Sequence, residues 1–132
     1  MKVSSSPAKS PSKVDVLFID NDSLLLGMIE KELEQQEGIR FSGEENAVKG
    51  LEKAKEIDPG IIVLDPVAEG LSGEKLLQEI RQSDCFENTK VMILSKKIDH
   101  EHIQQYEALN VDDFIQKPFQ ISELIFRLKK LT

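Results

Sequence analysis

The 132-residue chain is long enough for one domain with a substantial core. Its formal net charge of −7 and lack of a concentrated basic patch argue against a general nucleic-acid binder. The single cysteine, Cys85, cannot form an internal disulfide and lacks zinc-ligand spacing around it, while no apolar stretch reaches the roughly 18 residues of a spanning helix. With no apolar signal core at the N-terminus either, the expected compartment is the cytoplasm, with no membrane association.

Residues 1–13 are rich in Ser, Pro and Lys and have too little apolar surface to offset ordering entropy, so they are expected to form a flexible tail ahead of a domain at 14–132. From Val14 onward, short β-branched runs alternate with stretches whose apolar residues recur at helical spacing. Val14 to Asp20 reads as the first strand. Leu24, Leu25, Met28, Ile29 and Leu33 form one face of a helix ending near Gly38. Ile39 to Ser42 is a weak second strand. Ala47, Val48, Leu51, Ala54 and Ile57 mark the next helix, which stops at the turn signal Asp58-Pro59-Gly60.

Gly60 to Leu64 is the third strand, closed by Asp65 and followed by Gly70 and Gly73. Leu76, Leu77 and Ile80 predict a third helix, and Lys90 to Ser95 a fourth strand. Ile103, Tyr106 and Leu109 predict a fourth helix, with Asp99 placed to cap it. Val111 to Gln116 reads as the fifth strand. Ile121, Leu124, Ile125, Leu128 and Leu131 define the closing helix. Near-continuous apolar strands separated by helices of this length call for a parallel sheet covered on both faces, because right-handed crossovers place helices there. The fold class is therefore an α/β doubly wound three-layer sandwich. For five strands the flavodoxin-like order 2-1-3-4-5 is the common choice.

Ligands of open α/β sheets bind at the carboxyl ends of the strands. Asp20-Asn21-Asp22, Asp65, Ser95 and Lys117-Pro118 all fall at predicted strand ends. Asp65 is the most demanding of them, since an acid closing a buried strand needs a partner or a metal. This ordered set, with Gly73 eight residues after Asp65, resembles the receiver domain of two-component response regulators from about Val14 to Leu131.

The resemblance implies that Asp65 is the phosphoacceptor for a histidine kinase or phosphotransfer protein. It also implies that Asp20, Asn21, Asp65 and the Val67 carbonyl hold Mg²⁺ or Mn²⁺, bound weakly. Lys117 would contact the acceptor carboxylate and then a phosphoryl oxygen, and Ser95 would donate its hydroxyl to another. Ser95 and Phe114 would form the switch that remodels a face made by the fourth helix, fifth strand and fifth helix. Such a module is a switch more than an enzyme, its catalysis limited to its own phosphotransfer and dephosphorylation. With no effector segment after Thr132, its output is expected to be a contact with a downstream protein or a second copy of the chain. Asp22 is expected only to cap the first helix.

Several residues depart from the family pattern. Asn21 stands where a second acid is usual and brings no charge to a metal. Pro66 restricts the loop after the acceptor, and Glu69 occupies a position where proline is common. Lys96 replaces a small residue after Ser95, where it either obstructs the site or contacts phosphate. Phe114 replaces a frequent tyrosine and loses its hydroxyl. These changes motivate a rival reading, a pseudo-receiver that binds its partner without being phosphorylated. A further alternative is a phosphatase of the haloacid-dehalogenase type, because Asp20-Asn21-Asp22 resembles that family's DxD opening and Ser95 and Asp112-Asp113 imitate its later motifs. Against it stand the short chain and the position of Lys117 after the acidic pair.

Overall fold

The computed structural model describes residues 13–67 and 72–132. The expected tail, apart from Lys13, lies outside the described residues, as do Glu69 and Gly70. Five strands alternate with five helices: β1 (Val14–Ile19), α1 (Ser23–Leu33), β2 (Ile39–Glu44), α2 (Ala47–Ile57), β3 (Ile61–Leu64), α3 (Gly73–Gln82), β4 (Lys90–Ser95), α4 (His100–Ala108), β5 (Asp113–Gln116) and α5 (Ile121–Leu131). A short 3₁₀ turn, Asp84–Phe86, links α3 to β4. All strand pairs are parallel, as the alternation of strands and helices led us to expect, and the order is β2-β1-β3-β4-β5, the common choice for five strands.

The two-residue period of the strands divides the core between the faces of the sheet. Leu17, Ile19, Ile62, Leu64, Val91 and Ile93 pack with Ala47 and Ala54 of α2, Leu76, Leu77 and Ile80 of α3, and Tyr106 of α4. Val16, Phe18, Ile61, Val63, Met92 and Leu94 point the other way, onto Leu26, Ile29 and Leu33 of α1 and Leu124 and Leu128 of α5. Each fully buried Leu, Ile or Phe contributes about 1.5–3 kcal/mol relative to exposure. These two layers are therefore the main source of stability. Side-chain caps set four of the helix starts. Asp22, Asn46, Ser72 and Asp99 accept main-chain N–H groups of the first turns of α1, α2, α3 and α4.

Five local expectations are corrected. On α1 the buried stripe is Leu26, Ile29 and Leu33, whereas Leu24 is 81% and Met28 58% exposed. The run Leu24-Leu25-Leu26 permits two apolar faces, and packing against α5 and the sheet selects one. On α2, Val48 is exposed for a similar reason, with Ala47, Gly50 and Ala54 turned inward. The first helix ends at Leu33, five residues before the left-handed Gly38 (φ +84°) that turns the chain into β2. Finally, β2 continues to Glu44, and β5 begins at Asp113, after Val111 and Asp112 have bonded back to Tyr106 and Val91. Among the described residues no helix is long and apolar enough to cross a membrane.

Candidate functional site

The central strands end together at one edge of the sheet, and each delivers a polar group there. Asp20, Asp65 and Ser95 follow or close β1, β3 and β4 and are only 2%, 4% and 5% exposed. Lys117 follows β5 and reaches across β4 and β3. Its Nζ donates to Asp20 Oδ2 and to Asp65 Oδ2, each at 2.7 Å. The peptide between Lys117 and Pro118 is cis.

The two carboxylates are positioned by the same local device. Asp20 Oδ1 accepts the N–H of Asp22 at 2.9 Å, and Asp65 Oδ1 accepts the N–H of Val67 at 2.9 Å. An aspartate that bonds the backbone two residues ahead closes a turn on itself, which is why Asp suits a strand-to-loop transition. Every oxygen of the pair thus has one protein partner. A carboxylate oxygen offers about two acceptor positions, so capacity for a cation or a phosphoryl group remains.

Pro66 does not break this loop. Its carbonyl accepts the N–H of Gly73 at 3.0 Å, and its ring and backbone press directly on Gly73. A Cβ at position 73 would lie 2.3 Å from Pro66 Cβ and 2.4 Å from its Cα. The glycine eight residues after Asp65 therefore has a steric reason: it lets the start of α3 back onto Pro66.

Electrostatics favour the bridge. Burial of Lys117 disfavours its charge, but hydrogen bonds and attraction from Asp20 and Asp65 outweigh that and hold its pKa above the usual 10.5. Ser95 Oγ accepts the N–H of Lys97 at 3.2 Å and leans on the Lys97 carbonyl at 3.4 Å, so its hydroxyl is tied only to its own turn. Asn21 is exposed, and the Val67 side chain is 70% exposed. Phe114 is half-buried and packs on Tyr106 with ring centroids 6.4 Å apart. Tyr106, read from the sequence only as a helix-face residue, is 3% exposed, and burial raises its phenol pKa, with a further push from the Asp65 charge. A buried tyrosine within reach of the Asp65 charge is invisible to periodicity, which marks it merely as apolar-facing.

The geometry separates the phosphatase-like residues. Asp112 and Asp113 lie at the beginning of β5, at the opposite edge of the sheet from Asp20. There Asp112 accepts the N–H of Val91 and pairs with Arg81, while Asp113 pairs with Arg127. Asp22 caps α1 through Leu25. Of that motif only Ser95 shares the strand-end site with Asp20; the Asp112 and Asp113 carboxylates do not reach it.

Among the described residues no group of three or more His, Cys, Asp or Glu side chains is arranged to hold a metal. The buried side-chain donors at this edge are the Asp20 and Asp65 carboxylates, and the expected Asn21 amide and Val67 carbonyl follow them one and two positions on in the chain. This oxygen-only set still fits a hard divalent ion, which commonly takes one or two carboxylates and fills the remainder with water and phosphate.

A family model described as the response regulator receiver domain matches residues 16–129. The chemotaxis protein CheY of Thermotoga maritima is 29% identical over 118 residues, covering 89% of this chain and 96% of its own. The uncharacterized transcriptional regulatory protein YkoG of Bacillus subtilis is 27% identical, over 89% of this chain and 50% of its own. The hybrid signal transduction histidine kinase D of Dictyostelium discoideum is 30% identical over 65% of this chain but only 6% of its own. The chain thus spans half or less of the length of these last two relatives. In fold it is similar to the chemotaxis response regulator CheY4 of Vibrio cholerae, with a TM-score of 0.84, 19% identity, and 92% and 100% of the two chains covered. It is also similar to a receiver domain protein of Methanospirillum hungatei, with a TM-score of 0.83, 21% identity, and 91% and 94% covered. The chain belongs to the response regulator receiver domain family, the signalling-switch module of two-component systems.

Proposed function

We propose that Asp65 accepts a phosphoryl group from a histidine kinase or phosphotransfer protein and that the acyl phosphate biases a protein-binding face built from α4, β5 and α5. The Lys117 bridge is the observation that carries this reading. A lysine side chain that is 9% exposed and paired at 2.7 Å with carboxylates from two other strands is the arrangement an anionic transfer site requires.

In the reaction an Asp65 oxygen attacks phosphorus and the phosphorus–nitrogen bond of the donor phosphohistidine breaks. The electron pair returns to the imidazole nitrogen. Lys117 exchanges its hold on the carboxylate for a phosphoryl oxygen, and the Ser95 hydroxyl, released from its own turn, donates to another. Phe114 then follows Ser95 inward along the neighbouring strand, pressing on Tyr106 and so on α4. Receiver domains are generally Mg²⁺-dependent. Here Asp20, Asn21, Asp65 and the Val67 carbonyl would hold Mg²⁺ or Mn²⁺, which supplies charge neutralisation for the attack. With Asn21 neutral and Lys117 already on both carboxylates, that affinity is weak.

In this reading the receiver spans 14–132 behind a polar extension at 1–13 and acts in the cytoplasm, its output being protein contacts that include a second copy of the chain. The buried, oriented Asp65 favours phosphoryl acceptance over a binding module that is never phosphorylated. Incubation with acetyl phosphate and Mg²⁺ is expected to add one phosphoryl group by intact mass, and Asp65→Asn to abolish it. No mass gain at saturating donor and metal refutes the assignment.

A further inference from the structure

We propose that Lys96 is a second phosphoryl-contacting cation, set beside Lys117, that lowers the dependence of phosphotransfer on the divalent ion. The inference rests on Asp65 being the acceptor. Ser95 and Gln116 are register partners, and the N–H of Lys117 donates to the Ser95 carbonyl at 2.8 Å, extending the ladder by one step. Positions 96 and 117 therefore leave neighbouring strands side by side, where adjacent strands are about 4.8 Å apart. The Lys96 backbone is held from both sides. Ser95 Oγ accepts the following N–H, of Lys97, at 3.2 Å, and the Lys96 carbonyl accepts Gln116 Nε2 at 3.3 Å. Lys96, Lys117 and Asp22 line one cavity of about 440 Å³, whose other walls include Leu25, Met28, Pro118 and Phe119.

The two ammonium groups are in different circumstances. Lys117 is buried and already committed to Asp20 and Asp65. Lys96 is exposed and forms no ion pair with any described residue. An acyl phosphate carries about two negative charges where the carboxylate carried one, so a further cation is wanted at this edge as phosphorylation proceeds. Asn21 removes an acid that would otherwise recruit metal charge, and Lys96 supplies positive charge directly. A lysine is suited to this as a mobile point charge with three donors on a flexible stem.

The test is the rate of acetyl phosphate labelling, by intact mass, across a Mg²⁺ series for the wild-type chain, Lys96→Ala, Lys96→Arg and Asp65→Asn. At limiting Mg²⁺, Lys96→Ala is expected to label about tenfold more slowly, as for loss of one charge-assisted hydrogen bond, and to need more Mg²⁺ for half-maximal rate. Lys96→Arg should restore most of the rate, and the gap should narrow at saturating Mg²⁺. A purely structural residue would shift the maximal rate and leave the metal dependence alone. Superimposable Mg²⁺ curves for wild type and Lys96→Ala, or faster labelling of Lys96→Ala, overturn the role of Lys96 and leave Asp65 standing. A wild-type chain that never labels, or labelling that survives Asp65→Asn, overturns both.

Discussion

Replacing Lys117 by methionine keeps most of its aliphatic stem but leaves Asp20 and Asp65, both under 5% exposed, facing one another without their cation. At 2.7 Å, each lysine–carboxylate attraction is worth roughly 6 kcal/mol at an effective dielectric near 20. Desolvation of the three ions offsets much of this, by several kcal/mol per ion. What survives on breaking the bridge is the cost of uncompensated buried charge, about 3–5 kcal/mol. With a urea slope of about 1–3 kcal/mol/M, the midpoint should fall by about 2 M at neutral pH.

The same substitution in an Asp65→Asn background should cost roughly half as much, because one carboxylate remains instead of a repelling pair. Equilibrium urea unfolding of wild type, the two single variants and the double variant gives the full cycle. A loss below about 1 kcal/mol for Lys117→Met, or an equal loss in both backgrounds, would refute the view that one buried lysine neutralises both strand-end acids.

Gly73→Ala is expected to destabilise by about 1–3 kcal/mol, because its Cβ would collide with Pro66 and push Pro66 and Val67 away from α3. Urea unfolding measures that cost, and slower acetyl phosphate labelling should accompany it as Val67 loses its hold on Asp65. Arg81→Ala should cost about 2–3 kcal/mol, since its guanidinium serves the carbonyls of Thr89, Leu109 and Asn110 together with Asp112. Arg81→Lys should recover little of it, because an ammonium cannot reproduce that planar fork.

Alkaline pH tests the bridge from the other side. The folded-state pKa of Lys117 is raised, so its stabilisation is fully present below the usual 10.5 and is lost as pH rises through the higher folded value. Accordingly the stability gap between wild type and Lys117→Met should be constant from neutrality to about pH 10 and shrink above it. Tyr106 is the single tyrosine, in a chain without tryptophan, so phenolate absorbance reports on it alone. Burial should make it ionise above the ordinary 10.0 in the folded chain and return to that value in urea. An unshifted titration would mean that the phenol is solvated.

Much of the molecule was determined by the sequence alone, because the signals involved are local and periodic. Apolar runs such as Ile61-Ile62-Val63-Leu64 have only one environment available, a strand covered on both faces, and their alternation with amphipathic stretches compels parallel crossovers. Asp20, Asp65, Ser95 and Lys117 were legible for the same reason: each ends such a run, and parallel strands bring their ends to one edge.

Tertiary structure decided what depends on partners distant along the chain. It chose Leu26 over Leu24 and Met28 as the buried face of α1, since helical spacing allowed either and only contact with α5 and the sheet distinguishes them. By packing Pro66 against Gly73, it turned a restriction on the loop into a close fit. The phosphatase-like acids were sent to the far edge of the sheet. Asp20 and Lys117, 97 positions apart, were placed 2.7 Å from one another. A sequence specifies which groups reach a site; mutual distance, burial and charge exist only once the strands have paired, and those quantities govern whether Asp65 meets a phosphoryl group.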